Sequence, residues 1–295
     1  MLFLILSILS STGIFLIFRL IEKRGVSNFP VIVINYITAA ILGFALNSRT
    51  AAEPGQFPAA FYALAMIIGV LFILMFFVVA RSSQKAGMSV TTIAGKMSVI
   101  FPILFSILYD VQDTISLLKA MGIFIALAGV LLTIYKKRTQ LPEPAFIYLP
   151  VILFIGMGLV DSLVKLAQYE YISDANLSLF AAILFSISAL SGLFASFFHR
   201  GRFRSIFTPG AFLWGALLGG VNFGSIYFFV KTLNYIHPEH GMVDSSVVFG
   251  INNIGIVALS VILGMLLFQE KLSGINKAGV LFCIMATILL AYAGK

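Results

Sequence analysis

Five long stretches of this sequence contain no charged residue, and they constrain the fold more than any other feature. They run from Val26 to Ser48, Phe57 to Ala80, Ala175 to Phe198, Ser205 to Val230 and Ser245 to Gln269. Each reaches the roughly 20 apolar residues that a helix needs to cross a bilayer. Only 10% of all residues are charged, against about 25% in soluble domains. This composition excludes a soluble globular protein and a disordered chain, and indicates a polytopic membrane protein.

Turn-forming residues divide the chain into ten predicted membrane spans. The breaks contain sequences such as Glu53-Pro54-Gly55 and Thr208-Pro209-Gly210, which favour turns. The connections are short and leave no room for a soluble domain, so we expect an all-α integral membrane fold. The predicted spans cover 1–19, 28–47, 57–80, 86–109, 115–135, 145–169, 175–198, 205–231, 244–269 and 274–293.

The distribution of basic residues predicts the orientation in the membrane. Odd-numbered loops hold thirteen lysines and arginines, whereas even-numbered loops hold two, Arg49 and Lys119. Cytoplasmic loops are enriched in these residues, so we expect the odd loops inside, both termini outside, and residence in the cell (inner) membrane. The net charge of +8 is spread over these loops and does not indicate a nucleic-acid partner. A single cysteine, Cys283, excludes an internal disulfide and a cysteine zinc site, and no cofactor or metal is predicted.

The chain has the pattern of an internal repeat, with a first half at 1–139 and a second at 145–295. Phe76-Phe77-Val78 aligns with Phe228-Phe229-Val230, and Lys119-Ala120 aligns with Lys277-Ala278. Each half holds five spans, an odd number, so the two halves must insert upside down relative to each other. Inverted repeats of this kind are typical of secondary transporters, whose sites lie near the membrane midplane.

The ten-span, two-half layout resembles the drug/metabolite transporter superfamily, specifically its EamA-like members. The resemblance implies a transport function and covers the whole chain, but its motifs are degenerate and do not indicate a substrate. Asp113 stands where that family more often has glutamate. The matching segments are Ala94–Pro102, Lys119–Ile123, Ala128–Val130, Phe268–Ser273 and Lys277–Val280.

Polar residues inside the predicted spans are the candidate substrate-binding residues. Lys96 lies about 15 Å into span four at 1.5 Å per residue, and a charge at that depth is costly unless it meets a partner or a cavity. We expect it to bind an anionic or carbonyl group of the cargo, although a structural ion pair is the alternative. Amides and tyrosines within spans either bind polar cargo or tie helices together. These further candidates are Asn222, Asn252, Asn253, Tyr36 and Tyr227.

Acidic residues offer a candidate for ion coupling. Asp161 and Lys165 are spaced i, i+4 on span six and share a face, so they either pair with each other or leave Asp161 to couple proton movement. Asp244, at the start of span nine, is expected to be an interfacial cap. The His237-Pro238-Glu239-His240 segment is expected to be an outer loop, because Pro238 interrupts any helix that could present two metal ligands.

These observations predict a secondary transporter of a small polar or amphipathic metabolite, such as an amino-acid-like solute, working by alternating access with ion or exchange coupling. A channel or a non-transporting membrane scaffold is the alternative. Clustered acidic or histidine residues that a membrane enzyme would need are missing from the sequence, so no enzymatic activity is expected. The expected partners are a small-molecule substrate and the lipid bilayer. Close helix packing, and secondarily a homodimer, are compatible with the glycine pattern of span eight: Gly215, Gly219, Gly220 and Gly224.

Overall fold

The computed structural model describes residues 2–47, 55, 57–85, 95, 98, 100–109, 116–134, 148–198, 200–237, 241–242, 244–268 and 273–293. Apart from one short hairpin, the regular structure in these residues is helical. The helices are α1 Leu2–Lys23, α2 Asn28–Asn47, α3 Ala59–Lys85, α4 Ile100–Tyr109, α5 Leu117–Ile134, α6 Tyr148–Tyr171, α7 Leu177–Phe197, α8 Arg200–Ile206, α9 Pro209–Leu233, α10 Ser245–Phe268 and α11 Gly274–Ala293.

Helix length and composition make this a multi-pass membrane protein. Within the described residues, six helices are long and apolar enough to span a bilayer, namely α1, α2, α3, α6, α7 and α9. Helix α7 illustrates the surface that they present: Leu190, Phe194 and Phe197 are each about two-thirds exposed. Such a surface suits lipid, because soluble monomers rarely expose large apolar patches.

One helix ends and another begins within the predicted span 205–231. The short α8 ends at Ile206, and the long α9 begins at Pro209, so Phe207 and Thr208 separate the two helices. Pro209 occupies the first turn of α9, where its missing N–H group costs nothing. The hairpin pairs β1 Ile236–His237 with β2 Gly241–Met242 in antiparallel register. His237 therefore lies in a strand, while residues 238–240 of the predicted outer loop lie outside the described residues.

Contacts divide the chain into two compact units, and each unit takes helices from both predicted halves. Unit 1 consists of Met1–Phe77 and Leu166–Asn234, and unit 2 of Val78–Lys165 and Tyr235–Lys295. In unit 1, α2 packs against α7 and α9, and α1 packs against α9. In unit 2, α5 packs against α11, and α10 packs against α4, α5 and α11.

Glycines allow the closest helix contacts of unit 1. A Cβ atom added at Gly43 of α2 would lie 2.8 Å from the Cα atom of Ala182 on α7. One added at Gly192 of α7 would lie 3.1 Å from Cγ2 of Val33 on α2. The numbers 33 and 182 differ by 149, as do 43 and 192. Helices α2 and α7 run antiparallel here. In an antiparallel pair, two contacts always relate the residues of one helix to those of the other by one shared difference in residue number. The equality is therefore no evidence for a repeat by itself, and these contacts only give the value of the difference, 149.

A second pair of contacts reproduces this offset independently. A Cβ atom at Gly69 of α3 would lie 2.6 Å from Cγ2 of Ile187 and 3.0 Å from the carbonyl oxygen of Leu184, both on α7. One at Gly219 of α9 would lie 2.6 Å from Cβ of Thr38 and 2.6 Å from the carbonyl oxygen of Asn35, both on α2. Thr38 and Ile187 differ by 149 in number, as do Asn35 and Leu184, while the two glycines differ by 150. The two contacts are therefore equivalent residue by residue.

Candidate functional site

One buried core cluster of unit 1 brings together two of the predicted site residues. We call it the central cluster, and it lies where α2, α3, α7 and α9 meet. Tyr36 is one of its buried members, and Tyr227 packs against it. The buried members are Ile32, Tyr36, Ala39, Ala40, Ile73, Ala181, Phe185, Ala189 and Phe223.

The hydroxyl group of Tyr36 is buried without a hydrogen-bond partner. The side chain is fully inaccessible, and its ring contacts the rings of Phe76 and Phe185 at centroid distances of 5.4 and 6.0 Å. No described atom accepts or donates a hydrogen bond at the hydroxyl oxygen. An unsatisfied buried polar group costs about 1–3 kcal/mol. Phenylalanine would make the same ring contacts without that cost.

The side chain of Asn222 on α9 is in a similar situation. Asn222 is 5% exposed, and its side-chain nitrogen has no partner among the described atoms. Its backbone carbonyl oxygen accepts a hydrogen bond of 2.8 Å from the Ser225 hydroxyl. Asn35, on α2, donates to the Ile32 carbonyl at 3.5 Å and leaves its own side-chain oxygen without a partner. Unit 1 therefore buries several polar atoms that its own described residues do not satisfy.

Tyr227 extends the aromatic surface toward a cation. Its ring stacks on Phe223 at 5.4 Å and meets Phe228 edge-on at 5.6 Å. The Lys231 ammonium lies 5.7 Å from the Tyr227 ring centroid and 4.8 Å from that of Phe3. Cation–π attraction holds a lysine at such distances.

The other predicted substrate-binding residues are on unit 2 or are not described. Asn252 and Asn253 are both 8% exposed on α10. The Asn253 amide donates to the Phe249 carbonyl at 3.0 Å. This hydrogen bond lies within α10 itself. Lys96, the deepest predicted charge, lies outside the described residues.

A group of buried polar contacts at the start of α10 was not predicted. Lys119 of α5 is 1% exposed, and its ammonium forms a 2.5 Å ion pair with the Asp244 carboxylate. Lys165 of α6 is also 1% exposed, and its ammonium donates to the Ser245 hydroxyl at 2.6 Å. Two lysines from different helices thus contact consecutive residues. We call these four residues the α10 N-terminal cluster.

This cluster changes the interpretation of three sequence-derived candidates. Asp244 does cap α10, because its carbonyl oxygen accepts hydrogen bonds from the backbone of Val247 and Val248, but its carboxylate pairs with Lys119. Lys165 reaches Ser245 on another helix. Asp161 lies half-buried one turn before Lys165. A hydropathy pattern cannot predict such pairs, since Lys119 and Asp244 are 125 residues apart in the chain. The pair could have been suspected only because the two opposite charges were predicted to lie at the same face of the membrane.

Comparison with known proteins extends the description of the fold. No family model matches the chain. An uncharacterized protein of Haemophilus influenzae is 27% identical over 304 residues, covering 99% of this chain and 98% of the relative. A protein of known crystal structure matches 99% of this chain and 96% of its own, with a TM-score of 0.70 and 13% identity. The chain therefore shares the fold of that protein over nearly its whole length.

Proposed function

We propose that this protein is a secondary transporter, EamA-like in architecture, that moves a small polar or amphipathic metabolite across the membrane by alternating access. The observation that carries the proposal is the equivalence of two contacts in unit 1, Gly69 with α7 and Gly219 with α2. Matching differences in residue number at independent contacts, 149 for α2 with α7 and 150 for α3 with α9, are what an internal repeat produces. Inverted repeats of membrane helices are typical of secondary transporters.

The pairing of the helices supports the same interpretation. In a repeat of two five-helix halves, α2 corresponds to α7, α4 to α10, and α5 to α11. Each of these three pairs is in contact within its unit. A two-fold axis in the membrane plane makes equivalent helices meet across the axis. The glycine contacts relate α3 to α9 by a difference of 150 in residue number, whereas aligning the two Phe-Phe-Val triplets of the sequence gives 152. The packing therefore favours aligning Phe77 with Tyr227 and not with Phe229.

Buried polar groups of unit 1 support the binding of a solute. Tyr36 and Asn222 hold unsatisfied polar atoms inside a membrane bundle, where polar groups are costly and mark substrate pathways. Asp161 remains the candidate for ion coupling. The proposed location is the cell (inner) membrane.

Counterflow in proteoliposomes tests the proposal. Purified protein is reconstituted into vesicles loaded with members of a broad metabolite panel, and uptake of the labelled compound is measured. We expect uptake that saturates and that is accelerated by unlabelled substrate inside. Uptake that rises linearly with concentration and shows no counterflow would indicate a channel, and the absence of any flux across the panel would favour a scaffold.

A further inference from the structure

The packing of the central cluster repeats across α2 and α7, and at one place a phenylalanine pair has as its counterpart two residues with unsatisfied polar atoms, Tyr36 and Asn222. We propose that this asymmetry forms a binding site for an uncharged carbonyl group, as in an amide, ketone or ester, on an apolar molecule. The proposal deepens the proposed function and rests on it, because it names the class of solute that unit 1 receives.

Symmetry can be followed through the members of the cluster. On α2 and α7, Tyr36 and Phe185 differ by 149 in number; on α3 and α9, Ile73 and Phe223 differ by 150. All are buried members of the cluster. The same offset of 149 relates two further pairs of buried members, Ile32 with Ala181 and Ala40 with Ala189. The apolar packing thus repeats across the contact of α2 with α7.

One ring contact has a polar counterpart. Phe72 of α3 stacks on Phe185 of α7 at a centroid distance of 6.1 Å. The counterpart of Phe72 on α9 is Asn222, 150 positions later in the chain. The counterpart of Phe185 on α2 is Tyr36, 149 positions earlier. The equivalent of a phenylalanine pair is therefore an asparagine and a tyrosine. Both are more than nine-tenths buried, and both have a side-chain atom without a partner among the described residues.

Donor chemistry defines the complementary group. The Asn222 side-chain nitrogen is a donor only, and the Tyr36 hydroxyl can donate. Because the rings of Phe72 and Phe185 are in contact, we expect their counterparts Asn222 and Tyr36 to lie side by side, where two unsatisfied donors fit one acceptor oxygen with its two lone pairs. The side chains packed around Tyr36 are apolar or aromatic, so an ionised carboxylate would lose its hydration there. An uncharged carbonyl oxygen meets both requirements, and the surrounding aromatic rings accept an apolar body.

The cluster must open for the solute to enter. Tyr36 has no solvent-accessible surface in this structure, so a solute reaches its hydroxyl only when α2, α7 and α9 separate. Alternating access requires such a separation on one side of the membrane at a time. The closed packing seen here then corresponds to the state in which unit 1 is sealed.

Calorimetric titration of the purified full chain in detergent tests the site directly. The probes share one skeleton: 3-phenylpropanamide offers a neutral carbonyl, 3-phenylpropanoate a carboxylate, and propylbenzene no acceptor. We expect the amide to bind the wild-type protein at least tenfold more tightly than either of the others. Tyr36→Phe and Asn222→Leu should each weaken amide binding at least tenfold. Tyr62→Phe, the same change at a tyrosine that is 36% exposed on α3, should leave it within twofold.

Thermal unfolding of the same variants separates binding from structure. Because phenylalanine already occupies the equivalent position 185, Tyr36→Phe is expected to unfold at the wild-type temperature or above it. A lower unfolding temperature would mean that the hydroxyl is bonded within the protein and would overturn the proposal. Unchanged amide affinity in Tyr36→Phe, tighter binding of the propanoate, or no binding of the amide would overturn it too.

The two proposals fail in distinguishable ways. Amide binding that depends on Tyr36, in a protein that shows no counterflow with any solute, would leave the site standing and refute transport. Counterflow with other solutes, in a protein that does not bind the amide, would refute the site and leave transport standing.

Discussion

At the scale of single residues, Lys119 is a buried charge of unit 2. Its ammonium is buried against a single carboxylate oxygen of Asp244. A buried ion pair contributes little net stability, because desolvation offsets the attraction, but removing one partner leaves the other charge buried and is strongly destabilising. The pair therefore contributes mainly by fixing the position of α5 against the start of α10 and less by adding net stability.

Removing one charge of this pair should destabilise the protein more than removing both charges. We expect Asp244→Asn to lower the free energy of unfolding by about 3–5 kcal/mol, and Lys119→Met combined with Asp244→Leu to recover most of that loss. Chemical unfolding in detergent measures both. The control is Lys277→Met, which removes an exposed lysine that aligns with Lys119 in the repeat. Equal losses for the single and the double substitution would contradict the role given to the pair.

Lys96 remains a prediction from the sequence. An ammonium near the membrane midplane is tolerated when a cavity or a partner receives it. We expect Lys96→Ala to insert and fold but to transport at least tenfold more slowly, equivalent to about 1.4 kcal/mol. Lys96→Arg should restore little, since guanidinium is larger and planar. Normal counterflow by Lys96→Ala would instead indicate a structural role.

At the scale of helices, glycine positions decide which surfaces can approach. A side chain at Gly219 would collide with the backbone of α2, whereas a Cβ atom added at the neighbouring Gly220 would have nothing within 4 Å. Gly219 therefore allows close packing of α9 on α2 within the chain. Gly215 does the same, because a Cβ atom added there would lie 2.5 Å from the Cβ atom of Ile34.

These two neighbours make a matched pair for mutation. Gly219→Ala should destabilise the protein by about 1–3 kcal/mol, the usual cost of overpacking a close contact. Gly220→Ala should be neutral or stabilising by up to about 1 kcal/mol, because alanine favours the helix over glycine. Thermal unfolding of the two variants in the same detergent compares them. A larger loss at Gly220 would show that the packing of α9 on α2 is misassigned.

Helix positions followed closely from the sequence. The predicted span 28–47 coincides with α2, and 175–198 contains α7, because a long continuous apolar run in a membrane satisfies its backbone hydrogen bonds within itself as a helix. Span one was predicted to end at residue 19, but α1 continues to Lys23. Basic side chains at a helix end can reach the interface while the backbone stays helical.

The candidate site was only partly predictable. Depth along a span pointed to Tyr36 and Asn222, whose buried polar atoms the structure leaves unsatisfied. Depth cannot tell which side of a helix a residue occupies, so Asn253, which bonds its own helix, had the same priority. The contact of Lys165 with Ser245 was missed because nearby Asp161 offered a simpler partner at i, i+4. Long-range polar pairs need the packing of helices, which composition does not encode.

At the scale of the whole molecule, the proposed inversion of the two halves predicts opposite exposure of equivalent loops. Lys23 is the last residue of α1, and Asp174 follows α6; both are exposed. Single cysteines at these positions, introduced after Cys283→Ala, are treated with a membrane-impermeant thiol reagent on intact cells. We expect labelling at position 174 and protection at position 23. Labelling at both would refute the inversion, and the reverse pattern would refute the orientation predicted from basic loops.

Solute counterflow by the matched tyrosine variants tests the central claim most directly. Tyr36→Phe, Tyr62→Phe and the wild-type protein are reconstituted at equal density, and exchange of a solute identified in the metabolite panel is measured. If unit 1 binds the solute through the Tyr36 hydroxyl, Tyr36→Phe should lower the exchange rate at least tenfold at subsaturating solute, while Tyr62→Phe stays within twofold of the wild type. Wild-type exchange by Tyr36→Phe would contradict the assignment of the central cluster as the transport site.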